Sequence, residues 1–243
     1  MNLETVLSVV YLYLPAYFAN ASPVVLGGGE PLDGAWFEDN TAGYDGGLDV
    51  YVMDARGGVP TRLTYHPAAD RVLGWHPDGD RVLFRSRRDF PTRGEEVYLV
   101  PVAGGMPEQI LTAPAKHAVW DDAGQRLAYS DKKGLEDEWR KHDNSSFARD
   151  LWIYTPADGR HTRLTDLGYD DRTPVWAPGD EALYYLSEQS GSFNVWRLPL
   201  TDGSTPVQVT SHDTHPVRFL SVSDAGDLCY TWNGALYVLP TGG

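Results

Sequence analysis

One pattern recurs along this chain at intervals that neither a helix nor a short solenoid coil produces. A strand bearing an aromatic runs into a turn at DVYVMDARGG from Asp49, EVYLVPVAGG from Glu96, DLWIYTPADG from Asp150, NVWRLPLTDG from Asn194 and ALYVLPTGG from Ala235. The aromatics Tyr51, Tyr98, Trp152, Trp196 and Tyr237 are spaced by 47, 54, 44 and 41 residues. A second pattern follows the first four: TRLT from Thr61, EQIL from Glu108, TRLT from Thr162 and VQVT from Val207. The third is a strand, a tight turn and another strand. It reads GWHPDGDRVLF from Gly74, VWDDAGQRLAY from Val119, VWAPGDEALYY from Val175 and, more loosely, VSDAGDLCY from Val222.

Together these describe a four-stranded unit. The strand ending at Trp75 turns through Pro77-Asp78-Gly79, where Pro fixes φ and Gly supplies a positive φ. Arg81 to Phe84, Glu96 to Val100 and Glu108 to Leu111 supply the other three strands. Four strands in a period of 40–50 residues is a β-propeller blade. The fold class expected is therefore all-β, a propeller of four-stranded blades. The complete blades are 71–111, 117–165 and 173–210, and the last, 217–243, lacks its fourth strand. PLDGAWF (Pro31 to Phe37) resembles a degraded turn of the same type, making 22–64 a further irregular blade. About five blades result, part of a six- or seven-bladed propeller, with 1–34 an irregular segment ahead of the blades in 35–243. The recurrent Trp75, Trp120, Trp152, Trp176 and Trp196 read as core between blades rather than as an aromatic cage.

Composition agrees with short strands joined by turns: 25 Gly, 17 Pro and 12% aromatics are too much punctuation for a helical chain. With 20 Lys and Arg against 34 Asp and Glu, the formal charge is −14. Nucleic-acid binding needs a basic face and is not expected, nor is an anionic membrane surface. Cys229 stands alone, so neither an intrachain disulfide nor a thiolate metal cluster can form. The apolar run over 6–19 faintly resembles an exported leader, but Glu4 precedes it and Pro15 interrupts it. It is shorter than a membrane span. It reads as buried strands in a cytoplasmic chain, with export to the periplasm as the alternative.

The Trp-x-Pro-Asp-Gly turn, the aromatic strand, the Gly-Gly and the Arg-Leu-Thr strand resemble the repeats of TolB-like propellers. More narrowly, Asp49 to Gly243 is similar to the N-terminal propeller of tricorn-type serine peptidases, through the blade repeats, KGLEDEWRKHDNSSFARDLW (Lys133 to Trp152), YYLSEQSGSFNVW and HPVRFLSVS. Residues 1–34 fit that family poorly. The resemblance implies a propeller that precedes a PDZ domain and a peptidase core, neither of which this sequence contains. It implies peptides or unfolded polypeptide as ligands, those downstream domains as partners, and a homo-oligomer. No catalytic residue can be carried over.

No Gly-x-Ser-x-Gly elbow, HExxH, phosphate loop or EF-hand spacing occurs, so no catalytic residue, metal or cofactor is expected. Asp70-Arg71, Lys116-His117, Asp171-Arg172 and Thr214-His215 do recur just ahead of the first strand of each blade. Arg71, Lys116 and Arg172 each lie four residues before a Trp. In a propeller this connection opens the innermost strand, so Arg71, Lys116, His117, Arg172 and His215 read either as solvated loop charges or as a cationic channel mouth suited to a peptide carboxylate. Residues 131–148 explain the 54-residue spacing. Within them Leu135 to His142 is predicted as a short helix, with Leu135, Trp139 and His142 on one face as a docking element. The function expected is a non-catalytic propeller that binds or gates peptides for a tricorn-like protease core. The alternative is a TolB-like protein-binding module.

Overall fold

The computed structural model describes residues 35–37, 48–52, 59–89, 94–132, 148–166 and 168–241. All regular elements among them are strands, arranged in five antiparallel sheets. Sheet 1 contains β1 (Ala35–Phe37), β2 (Val50–Val52) and β3 (Thr61–Arg62). Sheet 2 runs β4 (Asp70–Trp75), β5 (Arg81–Ser86), β6 (Glu96–Pro101) and β7 (Glu108–Leu111). Sheet 3 runs β8 (Ala115–Trp120), β9 (Leu127–Asp131), β10 (Leu151–Thr155) and β11 (Arg160–Arg163). Sheet 4 runs β12 (Asp171–Trp176), β13 (Ala182–Ser187), β14 (Asn194–Pro199) and β15 (Val207–Gln208). Sheet 5 contains β16 (Arg218–Val222), β17 (Leu228–Trp232) and β18 (Ala235–Leu239).

Each sheet is a sequential meander, which is the blade topology of a β-propeller. The blade count is about four, not the five expected. Three sheets are complete, and among the described residues the stretch at 22–64 supplies strands of three, three and two residues. Strands that short pair too little backbone to make a full blade. The apolar run over 6–19, the turn-like Pro31 to Gly34 and the segment Leu135 to His142 lie outside the described residues.

The chain divides into two compact units, 1–115 and 116–243. In the first, Val50 and Val52 of sheet 1, with Leu63 just after β3, pack on Val82, Phe84, Tyr98 and Val100 of sheet 2. In the second, Ala128 and Ile153 of sheet 3 meet Trp176 and Leu183 of sheet 4. The other face of sheet 4, through Tyr184, Leu186 and Val195, meets Leu220, Leu228 and Tyr230 of sheet 5. Alternation of side chains across a strand makes this possible, because both faces of a middle blade must be apolar. Trp176 sits in the sheet 3–sheet 4 core, and its Nε1 donates to the Val119 carbonyl at 3.1 Å.

The recurrent turn has one geometry in three sheets. His76, Asp121 and Ser223 each accept, at the carbonyl, the amide of a glycine three residues on: Gly79, Gly124 and Gly226. Those glycines have φ of 75°, 64° and 89°. In sheet 4 the glycine comes one residue earlier, so Asp180 itself takes φ 59°. Its carboxylate accepts the Asp122 amide at 3.0 Å, which ties the turns of sheets 3 and 4 together. Asp is among the few residues that tolerate this region of φ.

Candidate functional site

Two polar devices recur where sequence repeats meet structure. The first ties the last two strands of a blade. Arg62 Nη2 donates to Asp49 Oδ2 at 2.5 Å, and Arg163 Nη2 to Asp150 Oδ2 at 2.7 Å. Gln109 Nε2 replaces the guanidinium in sheet 2 and donates to Glu96 Oε2 at 2.7 Å. A threonine completes the device. The amides of Val50, Leu151 and Val195 donate to Thr64, Thr165 and Thr210 Oγ1 at 2.9, 3.0 and 2.9 Å. In sheet 4, Thr210 Oγ1 donates in turn to Asn194 Oδ1 at 3.0 Å. Sequence reading recognised TRLT as a strand but missed the acid thirteen residues upstream that its Arg holds. The constant spacing from Asp49 to Arg62, Glu96 to Gln109 and Asp150 to Arg163 was the available signal.

The second device lies at the start of the first strand of sheets 2, 3 and 4, on the residues expected at a channel mouth. Arg71, Lys116 and Arg172 each occupy the second position of a six-residue strand: β4, β8 and β12. Arg71 Nη1 donates to Glu95 Oε1 at 3.1 Å, and Arg85 Nη1 to Glu95 Oε2 at 2.9 Å. Two guanidiniums share one carboxylate, and the most exposed member of the group is Arg71, at 44% of its side chain. Arg172 differs. It is buried, donates to Asp170, and stacks over the Phe193 ring at 4.1 Å. His117 meets Ser130 Oγ at 3.2 Å across β8 and β9. His215 is exposed ahead of β16, and its carbonyl accepts the Trp232 indole at 3.0 Å.

The acids beside these bases are buried. Asp70 and Asp171 open β4 and β12 and pair in register with Ser86 and Ser187. Asp70 holds a counter-ion, accepting from Arg88 Nη2 at 2.6 Å. Asp171 is met by hydroxyls, those of Ser187 and Thr165, with Asp170 and Asp150 nearby. Burial, reinforced by those two carboxylates, pushes its pKa up to about 7. Its Oδ1 is buried without a hydrogen-bond partner among the described residues, which a neutral carboxyl tolerates better than a carboxylate. Burial likewise raises Glu96 and Asp49, and Tyr98, whose hydroxyl donates to Asp89 at 2.6 Å, is raised as well.

The family described as the Tricorn protease N-terminal beta propeller domain matches residues 33–242. A second family, CDP-archaeol synthase, matches residues 2–42. A CDP-archaeol synthase from Thermococcus onnurineus is 59% identical over 34 residues, 14% of this chain and 20% of that protein. The chain thus spans about a fifth of the curated relatives it matches. Among solved structures, a putative TolB from Agrobacterium tumefaciens superposes with a TM-score of 0.63 at 20% identity, covering 82% of this chain and 65% of that one. An oligogalacturonate lyase in complex with manganese gives 0.62 at 16% identity, covering 86% and 59%. At these identities the likeness is one of fold. The two family matches overlap at residues 33–42, around β1.

Proposed function

Because the chain belongs to the family of tricorn protease N-terminal β-propeller domains, we propose that it binds or gates peptides for a serine peptidase core without cutting them itself. The observation that carries this reading is the basic residue at one register of successive innermost strands: Arg71, Lys116 and Arg172. Arg71 supports it most directly, since its guanidinium is partly exposed, 44% of its side chain, within a protein of net charge −14. A peptide's terminal carboxylate suits such a group, because charge-assisted hydrogen bonds are the stronger ones. In this reading Lys116 and His117, side by side on β8, take part in the second unit. Arg172 supports it from inside, as a buried cation balanced by Asp170.

The mechanism is steric and electrostatic. Extended chains pass or are held, and the basic groups orient the carboxyl end. Blades over 35–243 form the module, and residues 1–34 stand apart from it. The partners in this reading are downstream PDZ and peptidase domains and further copies of the chain. Leu135, Trp139 and His142 form the docking element for them.

Fluorescence anisotropy with labelled pentaalanine, as free acid and as amide, tests the reading. The acid should bind more tightly, and Arg71→Ala should narrow that preference more at low salt than at high, since exposed charges are screened. Equal binding of acid and amide to the unaltered chain would refute it. A fluorogenic peptide library should show no turnover that a serine-directed inhibitor abolishes.

Docking of a whole partner protein is the second reading. It is favoured by β18, whose Leu236 and Val238 are 44% and 39% exposed in the outermost strand of sheet 5.

A further inference from the structure

Sheet 5 departs from the sequence repeat at its innermost strand. The residue aligned with Trp75, Trp120 and Trp176 is Val222, so nothing in the sequence marks the start of that strand. Counting back four residues, as from each Trp to its basic residue, reaches Arg218 rather than His215.

The register agrees. Arg71 pairs with Arg85, Arg172 with Leu186 and Arg218 with Thr231, in each case three residues along the partner strand from the one opposite Trp75, Trp176 or Val222. A bulge follows each time, between Val72 and Gly74, Arg172 and Val175, and Arg218 and Ser221. In two sheets the residue directly after the arginine takes a positive φ, 53° at Thr173 and 56° at Phe219. Neither Thr nor Phe favours that conformation, so the surrounding structure imposes it. Bulges of this kind re-aim a side chain.

Arg218 is also firmly seated. Val217 and Leu220 on either side are buried in the sheet 4–sheet 5 core, and the Arg218 carbonyl accepts the Thr231 hydroxyl at 3.4 Å. The Val217 amide donates to the Phe193 carbonyl at 2.8 Å, and the Phe193 ring lies under Arg172. One residue therefore joins the strand starts that carry Arg172 and Arg218. His215 has no such placement. It precedes β16 in an exposed stretch.

We infer that Arg218, not His215, is the sheet 5 residue that contacts the carboxylate of a bound peptide. This inference rests on the peptide-binding reading and adds to it the residue that the sequence repeat conceals. The test measures pentaalanine free acid and amide against the unaltered chain and against Arg218→Ala and His215→Ala, with far-ultraviolet circular dichroism to check folding. Arg218→Ala should weaken the acid roughly tenfold, as expected for one charge-assisted hydrogen bond, and leave the amide unchanged. His215→Ala should change neither. If Arg218→Ala keeps the acid preference, or if His215→Ala loses it, the inference fails and the wider reading stands. If the unaltered chain does not distinguish acid from amide, both fall. Should Arg218→Ala not fold, Arg218→Lys and Arg218→Gln decide. Lys must keep the acid preference and Gln must lose it, and failure of both to fold makes the residue structural and overturns the inference.

Discussion

Replacing Asp171 with Asn tests the electrostatics of the second unit directly. The carboxyl is 3% exposed, and its pKa rises from an ordinary 3.8 to about 7. A carboxyl raised in the folded state favours folding fully below its unfolded pKa, and that contribution is lost as pH rises through the folded one. The full difference amounts to on the order of 4 kcal/mol, of which roughly 3 falls between pH 5 and pH 8. Asn is nearly the same size, can still accept from Ser187 and Thr165, and does not ionise. Urea unfolding of both proteins at pH 5, 6, 7 and 8 gives the comparison. The advantage of Asp171→Asn should grow steadily with pH and level off above 7. A difference that stays flat with pH, or one that turns against Asn as pH rises, would refute the assignment of a neutral carboxyl at this position.

Three further outcomes are expected. Thr165→Val should destabilise by about 1–3 kcal/mol in thermal or urea unfolding, because the buried Leu151 amide and the Asp171 carboxyl both lose a partner. Asp180→Ala should cost about 1–2 kcal/mol, combining the positive φ with the lost bond from Asp122, and Asp180→Gly should recover part of it. Trp139→Ala should leave the melting temperature of this chain nearly unchanged and impair assembly with a peptidase core. A large drop in melting temperature would place Trp139 in the core instead.

The blade was legible in the sequence because turns and apolar alternation are local. Pro77-Asp78-Gly79 and Asp122-Ala123-Gly124 specify their own geometry, and the strands on either side follow. PLDGAWF misled because it shares the turn's composition, whereas the strands around it pair over only two or three residues. What the sequence concealed depends on partners distant along the chain. Asp49 and Arg62 are unremarkable singly, and their pairing shows only once β2 and β3 lie side by side. The cationic character of Arg172 was readable, but not its burial against Asp170 and Phe193, which sheet 5 helps to create. Arg218 was hidden by one substitution, Val222 in the place of a tryptophan.

The ties between the last two strands of each blade carry a consequence for how the edges of the sheets answer to salt. In sheets 1 and 3 the tie is a carboxylate holding a guanidinium, and in sheet 2 it is a carboxylate holding an amide. In sheet 4, Asn194, Gln208 and Thr210 do the same work with no charged group. Dissolved ions weaken the attraction between partly exposed opposite charges and leave a bond between neutral groups nearly unchanged. Deuterium uptake in rising salt should therefore quicken at the outer strands β3 and β11 while β15 keeps its rate. Which sheet edge loosens in brine is set by whether a blade ties itself with two charges or with none.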